Sequence, residues 1–162
     1  MKSDKKPETK SSREAVNKAM KLLLYRPRSE MELREKLTAA GFTGAETADA
    51  IEYVSSFGYL NDQRFAENYV ISYRGKKSRM IMKRELRAKG VDEIFIEEAL
   101  ELAPEDEKEI MIELLIRKYG VPHRLDEREY RRSSGFLARR GYAAGDIARV
   151  IRRYQDMADE EM

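Results

Sequence analysis

The spacing of apolar positions along this chain is helical almost throughout, recurring at three and four residues as on one face of an α-helix. No segment alternates apolar and polar residues with period two, so no sheet is expected. Glycines at 41, 58, 75, 90, 120 and 141 each follow a periodic stretch, where a helix C-terminus favours that residue. Start signals lie on the other side of these breaks. Ser29 with Glu32 and Thr43 with Glu46 fit the capping box. Asp62, Asp92 and Asp126 stand where first-turn or N-cap acids belong, and Pro104 where a missing N–H does no harm. The pattern predicts nine helices, over residues 13–25, 29–40, 44–57, 62–74, 77–89, 92–102, 105–119, 126–140 and 144–158.

The pattern also repeats. "LTAAGF" at 37–42, "LRAKGV" at 86–91 and "LARRGY" at 137–142 share one form, with Gly41 and Gly90 49 residues apart and Gly90 and Gly141 51 apart. Six, nine and ten residues after each glycine stand Thr47, Ala50 and Ile51, then Ile96, Ala99 and Leu100, then Ile147, Val150 and Ile151. Upstream, Val16, Met20 and Leu24 align with Phe65, Tyr69 and Tyr73, and with Met111, Leu115 and Tyr119, each triple on one helical face. The third copy carries about five extra residues near "GVPHRLDE", which the alignment of Tyr119 exposes. Three three-helix repeats are expected, over 13–60, 61–103 and 104–158, with a disordered tail at 1–12 and a frayed end at 159–162. Each repeat has a small core, and stacking buries more surface, giving an all-α, elongated and curved molecule.

Composition narrows the possibilities. Of 162 residues, 41% are hydrophobic and 38% charged, a foldable mixture. There is no cysteine, so neither a disulfide framework nor a thiolate metal site is possible. The first twelve residues lack an apolar signal core and no apolar run suits a bilayer span, so a cytoplasmic protein without a membrane is expected. The net charge of +2 conceals three blocks. Residues 64–90 hold nine basic and two acidic side chains, 92–113 hold ten acidic and one basic, and 117–153 hold eleven basic and four acidic. Such blocks either pair with one another as salt bridges or present strongly signed surfaces.

Candidate chemistry is sparse. His123 is the only histidine and stands in the "GVPHRLD" segment, where a solvated loop residue is expected. "GKKS" at 75–78 resembles the end of a phosphate-binding loop, but Val70 occupies the position of the first glycine and no strand precedes it. The acidic "PEDEKE" at 104–109 is explained by a helix first turn. No catalytic residue, cofactor or metal site is expected, and the chain reads as a non-enzyme.

What remains is surface. Arg79, Lys83 and Arg87 are spaced by four and form a stripe, with Lys76, Lys77, Arg84 and Lys89 around it. Arg131, Arg132, Arg139 and Arg140 place comparable charge on the matching helix of the third repeat. These eleven residues are the candidates to face an acidic partner or a polyanion. The alternative is a solvated face. Tyr69 and Tyr73 have core spacing, whereas Tyr25 is ambiguous.

Three phrases bring a family into view. "FGYLNDQRFAENYVISYRGKKSRMIMKRELRAKGV" at 57–91, "LLYRPRSEMELREKLTAAGF" at 23–42 and "FLARRGYAAGDIARVI" at 136–151 resemble, in order and spacing, segments of the RecX regulatory proteins. The resemblance spans about residues 14–154, with Asn61 where the family commonly has an acid and Tyr142 where it commonly has phenylalanine. It implies a bacterial regulator that binds the RecA nucleoprotein filament on single-stranded DNA. Such a protein lies along the groove and restrains filament growth, ATPase, strand exchange and coprotease activity in recombination and the SOS response. A monomer with weak direct DNA binding is expected. The rival readings are a DNA-binding helical protein that acts without RecA and a helical-repeat adaptor indifferent to both.

Overall fold

A computed structural model describes residues 10–103 and 106–160. Among the described residues there are nine helices and no strand: α1 (Lys10–Tyr25), α2 (Glu30–Ala39), α3 (Gly44–Ser56), α4 (Asp62–Tyr73), α5 (Arg79–Ala88), α6 (Glu93–Glu101), α7 (Glu107–Tyr119), α8 (Glu127–Arg139) and α9 (Ala144–Glu160). The chain is all-α, as its periodicity requires.

Local chemistry sets the boundaries. The capping boxes at Ser29/Glu32 and Thr43/Glu46 are formed, and Asp126 builds a third with Glu129. Asn61 caps α4, its side-chain oxygen accepting the Arg64 N–H at 3.0 Å. Asp62 instead accepts the Glu30 N–H at 2.8 Å, serving the start of α2. Burial pushes its carboxyl upward, against that hydrogen bond, with neighbouring Glu30 and Asp92 adding to the rise. Asp106 caps α7 through the Lys108 N–H; Pro104 lies outside the described residues. The six glycines named above all have positive φ.

Burial follows the repeat register. Leu37, Leu86 and Leu137 are fully buried, as are Ala50, Ile96 and Ile151 or nearly so. Leu24 departs from its aligned partners and is 82% exposed. The buried face of α1 runs through Ser12, Ala15, Val16 and Ala19 instead. That face continues to Leu22 and Leu23, which pack against the core, and leaves Leu24 on the outside. Beyond the helix Arg28 is buried and its Nε donates to the Leu22 carbonyl at 3.2 Å. Tyr25 is exposed as well. Two end assignments need correction. Residues 10–12 belong to α1, not to a tail, and the Ser12 hydroxyl donates to Asp49 at 3.2 Å. Residues 159 and 160 are helical, with Asp159 paired to Arg124 and Glu160 to Arg153.

The helices gather into two compact units. One comprises Met1–Tyr69 and Glu85–Ala99, the other Val70–Arg84 and Leu100–Met162. The first is organised around Ala15, Val16, Ala19, Leu33, Leu37, Ala50, Ile51, Val54 and Leu60. The second is organised around Ile110, Met111, Leu114, Leu115, Leu137, Tyr142, Ile147, Val150, Ile151 and Tyr154. The dividing lines fall inside α4, α5 and α6, so the units are not the sequence repeats. A three-helix set with few buried side chains gains by sharing them with both of its neighbours in the chain.

Candidate interaction surface

The eleven basic candidates separate once their guanidinium and ammonium groups are followed. Arg79 is internal to its unit. It donates to the Leu100 carbonyl at 2.5 Å and the Ala103 carbonyl at 2.7 Å, closing the last turn of α6. Its backbone N–H donates to Glu107 at 2.7 Å. Arg140 donates to the Gly75 carbonyl at 3.1 Å and lies over the Phe136 ring at 3.9 Å. Carbonyls at helix ends need donors, and an arginine fork supplies two at once. These two side chains hold backbone together.

A second group is ion-paired. Arg87 makes a bidentate pair with Glu93, at 2.8 and 2.6 Å, and that hydrogen bonding raises its pKa. Lys89 lies 3.6 Å from Glu32, and Arg131 lies 2.8 Å from Glu127 one turn before it. Burial tends to raise the Glu32 carboxyl, but the Ser29 N–H, Lys89 and Arg26 outweigh it and hold the group below its usual range. Lys77 sits 4.0 Å above the Tyr73 ring, and Lys83 is half-buried. The stripe expected along α5 is thus largely taken up by acids and carbonyls of the chain.

Lys76, Arg84, Arg132 and Arg139 are exposed and make no ion pair among the described residues. Three of them belong to a larger basic surface on the second unit. Lys118, Tyr119, Arg131, Arg132, Gly135 and Arg139 line one open depression. A neighbouring one is lined by Arg74, Lys76, Arg117, Lys118, Phe136 and Arg140, with Glu113 as its acid. Lys118 belongs to both, its ammonium 3.9 Å from the Phe136 ring. Tyr119 lines the first of the two, and its hydroxyl is buried without a hydrogen-bond partner among the described residues. Burial raises its pKa, while Arg132 and Arg139 pull it down.

Residues 15–53 match the family model for RecX, first three-helix domain, and residues 61–100 that for RecX, second three-helix domain. A regulatory protein RecX from Trichlorobacter lovleyi is 36% identical over 141 residues, which cover 83% of this chain and 92% of that one. The chain belongs to the RecX family of regulatory proteins. A regulatory protein RecX from Streptomyces coelicolor is 32% identical over 146 residues, covering 88% of this chain and 78% of that one. The crystal structure of RecX from Lactobacillus salivarius has the same fold, with a TM-score of 0.70 over 91% of this chain and 97% of that one at 23% identity.

In this RecX-family chain the basic surface includes residues that spacing along α8 did not single out. Arg117 and Lys118 open the third charge block and lie in the last turn of α7, where cations also suit the helix dipole. Phe136 packs partly buried against the core of the second unit, and its ring is the one on which two cations rest. Only the charge count of the 117–153 block pointed to this concentration. His123 bonds through Nδ1 to the Val121 carbonyl at 2.9 Å and lies 3.5 Å from Glu129. The Val121 carbonyl, and then Glu129, raise its pKa above the usual value. Among the described residues no cluster of acids and histidine could hold a metal ion, and no helix is long and apolar enough to cross a membrane.

Proposed function

We propose that this protein binds the RecA nucleoprotein filament on single-stranded DNA and restrains its ATPase, strand exchange and coprotease activities. Three repeats, at 13–60, 61–103 and 104–158, would carry that role as a monomer in the cytoplasm, with no chemistry of its own. The supporting observation, beside RecX family membership, is the basic surface built by Lys76, Arg117, Lys118, Arg132 and Arg139, which make no ion pair among the described residues. Such a surface attracts an acidic protein face or phosphates by long-range electrostatics. The test is titration of the protein into the single-stranded-DNA-dependent ATPase of RecA. The parent should inhibit. The triple variant Lys118→Glu, Arg132→Glu, Arg139→Glu should need on the order of tenfold more protein for the same effect. If the folded variant inhibits like the parent, the surface assignment fails; if the parent does not inhibit, the RecA reading fails.

The same surface supports the second reading, direct DNA binding without RecA. It predicts retention on DNA alone with a steep salt dependence, since each neutralised phosphate releases counterions. Weak retention on DNA with strong retention on RecA filaments favours the first reading.

A further inference from the structure

The three Leu-x-x-x-Gly turns have one backbone form, and two of them are occupied. In the first unit the Ser29 hydroxyl, at the N-cap of α2, donates to the Lys89 carbonyl at 2.7 Å. Met31 covers Gly90 so closely that a Cβ there would stand 2.6 Å from its sulfur and 2.7 Å from its own Cβ. In the second unit the Ser78 N–H, just before α5, donates to the Arg140 carbonyl at 2.7 Å. Ile81 and the Ser78 hydroxyl fill the space over Gly141. Each time a serine that begins the middle helix of one three-helix set meets the carbonyl before the glycine of the next. An apolar side chain two or three residues on plugs the glycine. The contact joins the negative end of one helix to the positive end of another.

The third turn, at Gly41, is built alike. The Gly41 N–H donates to the Thr38 carbonyl and the Phe42 N–H to the Leu37 carbonyl, as Val91 does to Leu86 and Tyr142 to Leu137. Yet among the described residues nothing lies within 4 Å of the place a Gly41 Cβ would occupy. Thr38, Ala39, Ala40 and Gly41 are exposed. They are small and uncharged, where the other two turns carry Arg87 and Lys89, or Arg139 and Arg140.

We infer that the Gly41 turn is a docking site for the N-terminus of a helix in a partner protein. The segment it fits is a serine or threonine N-cap followed two or three residues later by methionine or isoleucine. Ala40 would offer the carbonyl, and the bare Cα face of Gly41 would take the apolar plug. Among the described residues the chain's own segments do not fill it. The plugs at Met31 and Ile81 are engaged. Asp126 is followed at the plug positions by Arg128 and Glu129, and Ser3 by Lys5 and Lys6, all charged. A second copy therefore has nothing to insert, and the occupant is another protein.

The inference is tested without knowing that protein. A peptide copying residues 26–40, which carries the Ser29 cap and the Met31 plug, is titrated into the full chain labelled with ¹⁵N. Amide shifts should concentrate at residues 38–43. They should be lost with a Met31→Asp peptide, which leaves the protein's fold untouched. They should also be lost with a Gly41→Asn chain, because asparagine tolerates the positive φ while its side chain fills the space. Each change should weaken binding at least about tenfold, as expected for losing a central apolar anchor. Absence of shifts at 38–43, shifts confined to 87–92 or 138–143, or equal binding by the Met31→Asp peptide overturns the inference.

Discussion

Arg79 and Arg132 carry the same charge and are used differently. The first closes α6 through two carbonyls, so Arg79→Ala should destabilise the protein by about 2 kcal/mol, the range for hydrogen bonds from a charged donor. Arg132 is exposed, so Arg132→Ala should stay within about 0.5 kcal/mol. Urea denaturation of the two variants checks both. Tyr142 makes a pH prediction. Burial, and then Glu107, push its phenol up to about 12. The folded state thus binds that proton more tightly than the unfolded state does. Its contribution is fully present below the unfolded value of about 10 and lost as pH rises through about 12. The alkaline midpoint of unfolding should move to higher pH in Tyr142→Phe, as followed by circular dichroism. Neither role could be read from residue type. Sequence marks Arg79 as one of a stripe of cations, and only the end of α6 in front of it turns the side chain inward.

The helices and their turns were the most legible part of the chain. Periodicity, caps and glycines placed all nine elements to within a few residues, because each of those signals is local. Leu37, Leu86 and Leu137 were aligned by spacing and are all fully buried. Leu24 was misplaced because the buried face of α1 passes through Ala15, Val16 and Ala19 to Leu22 and Leu23, which turns Leu24 away from the core. The three turns give a graded test. Gly41→Ala should cost roughly 1 kcal/mol, the strain of a side chain at φ +94°. Gly90→Ala and Gly141→Ala should each cost clearly more, because the added methyl meets Met31 or Ile81 as well. Leu137→Ala should fall in the range of about 2–5 kcal/mol for a buried leucine. Chemical denaturation of the set decides whether the order holds.

At the scale of the molecule, the charge blocks were visible in the sequence but their use was not. The acidic block supplies Glu93 to Arg87, Glu113 to Arg74 and Glu107 to the start of α5. It thus pairs with Arg74 and Arg87 of the first basic block, while the second keeps Arg117, Arg132 and Arg139 in the open. Binding that depends on those three should therefore weaken steeply with added salt, whereas the Glu-paired residues contribute little to the slope.

The boundary between the two compact units passes through α4 between Tyr69 and Val70, and through α5 between Arg84 and Glu85. A helix is itself cooperative, since breaking it in the middle forfeits hydrogen bonds on both sides of the break. Neither unit can melt without unwinding part of a helix that the other needs. The protein should accordingly unfold in one calorimetric transition, with van't Hoff and calorimetric enthalpies in agreement. A helix-breaking proline at Val70 should uncouple the halves and split that transition in two.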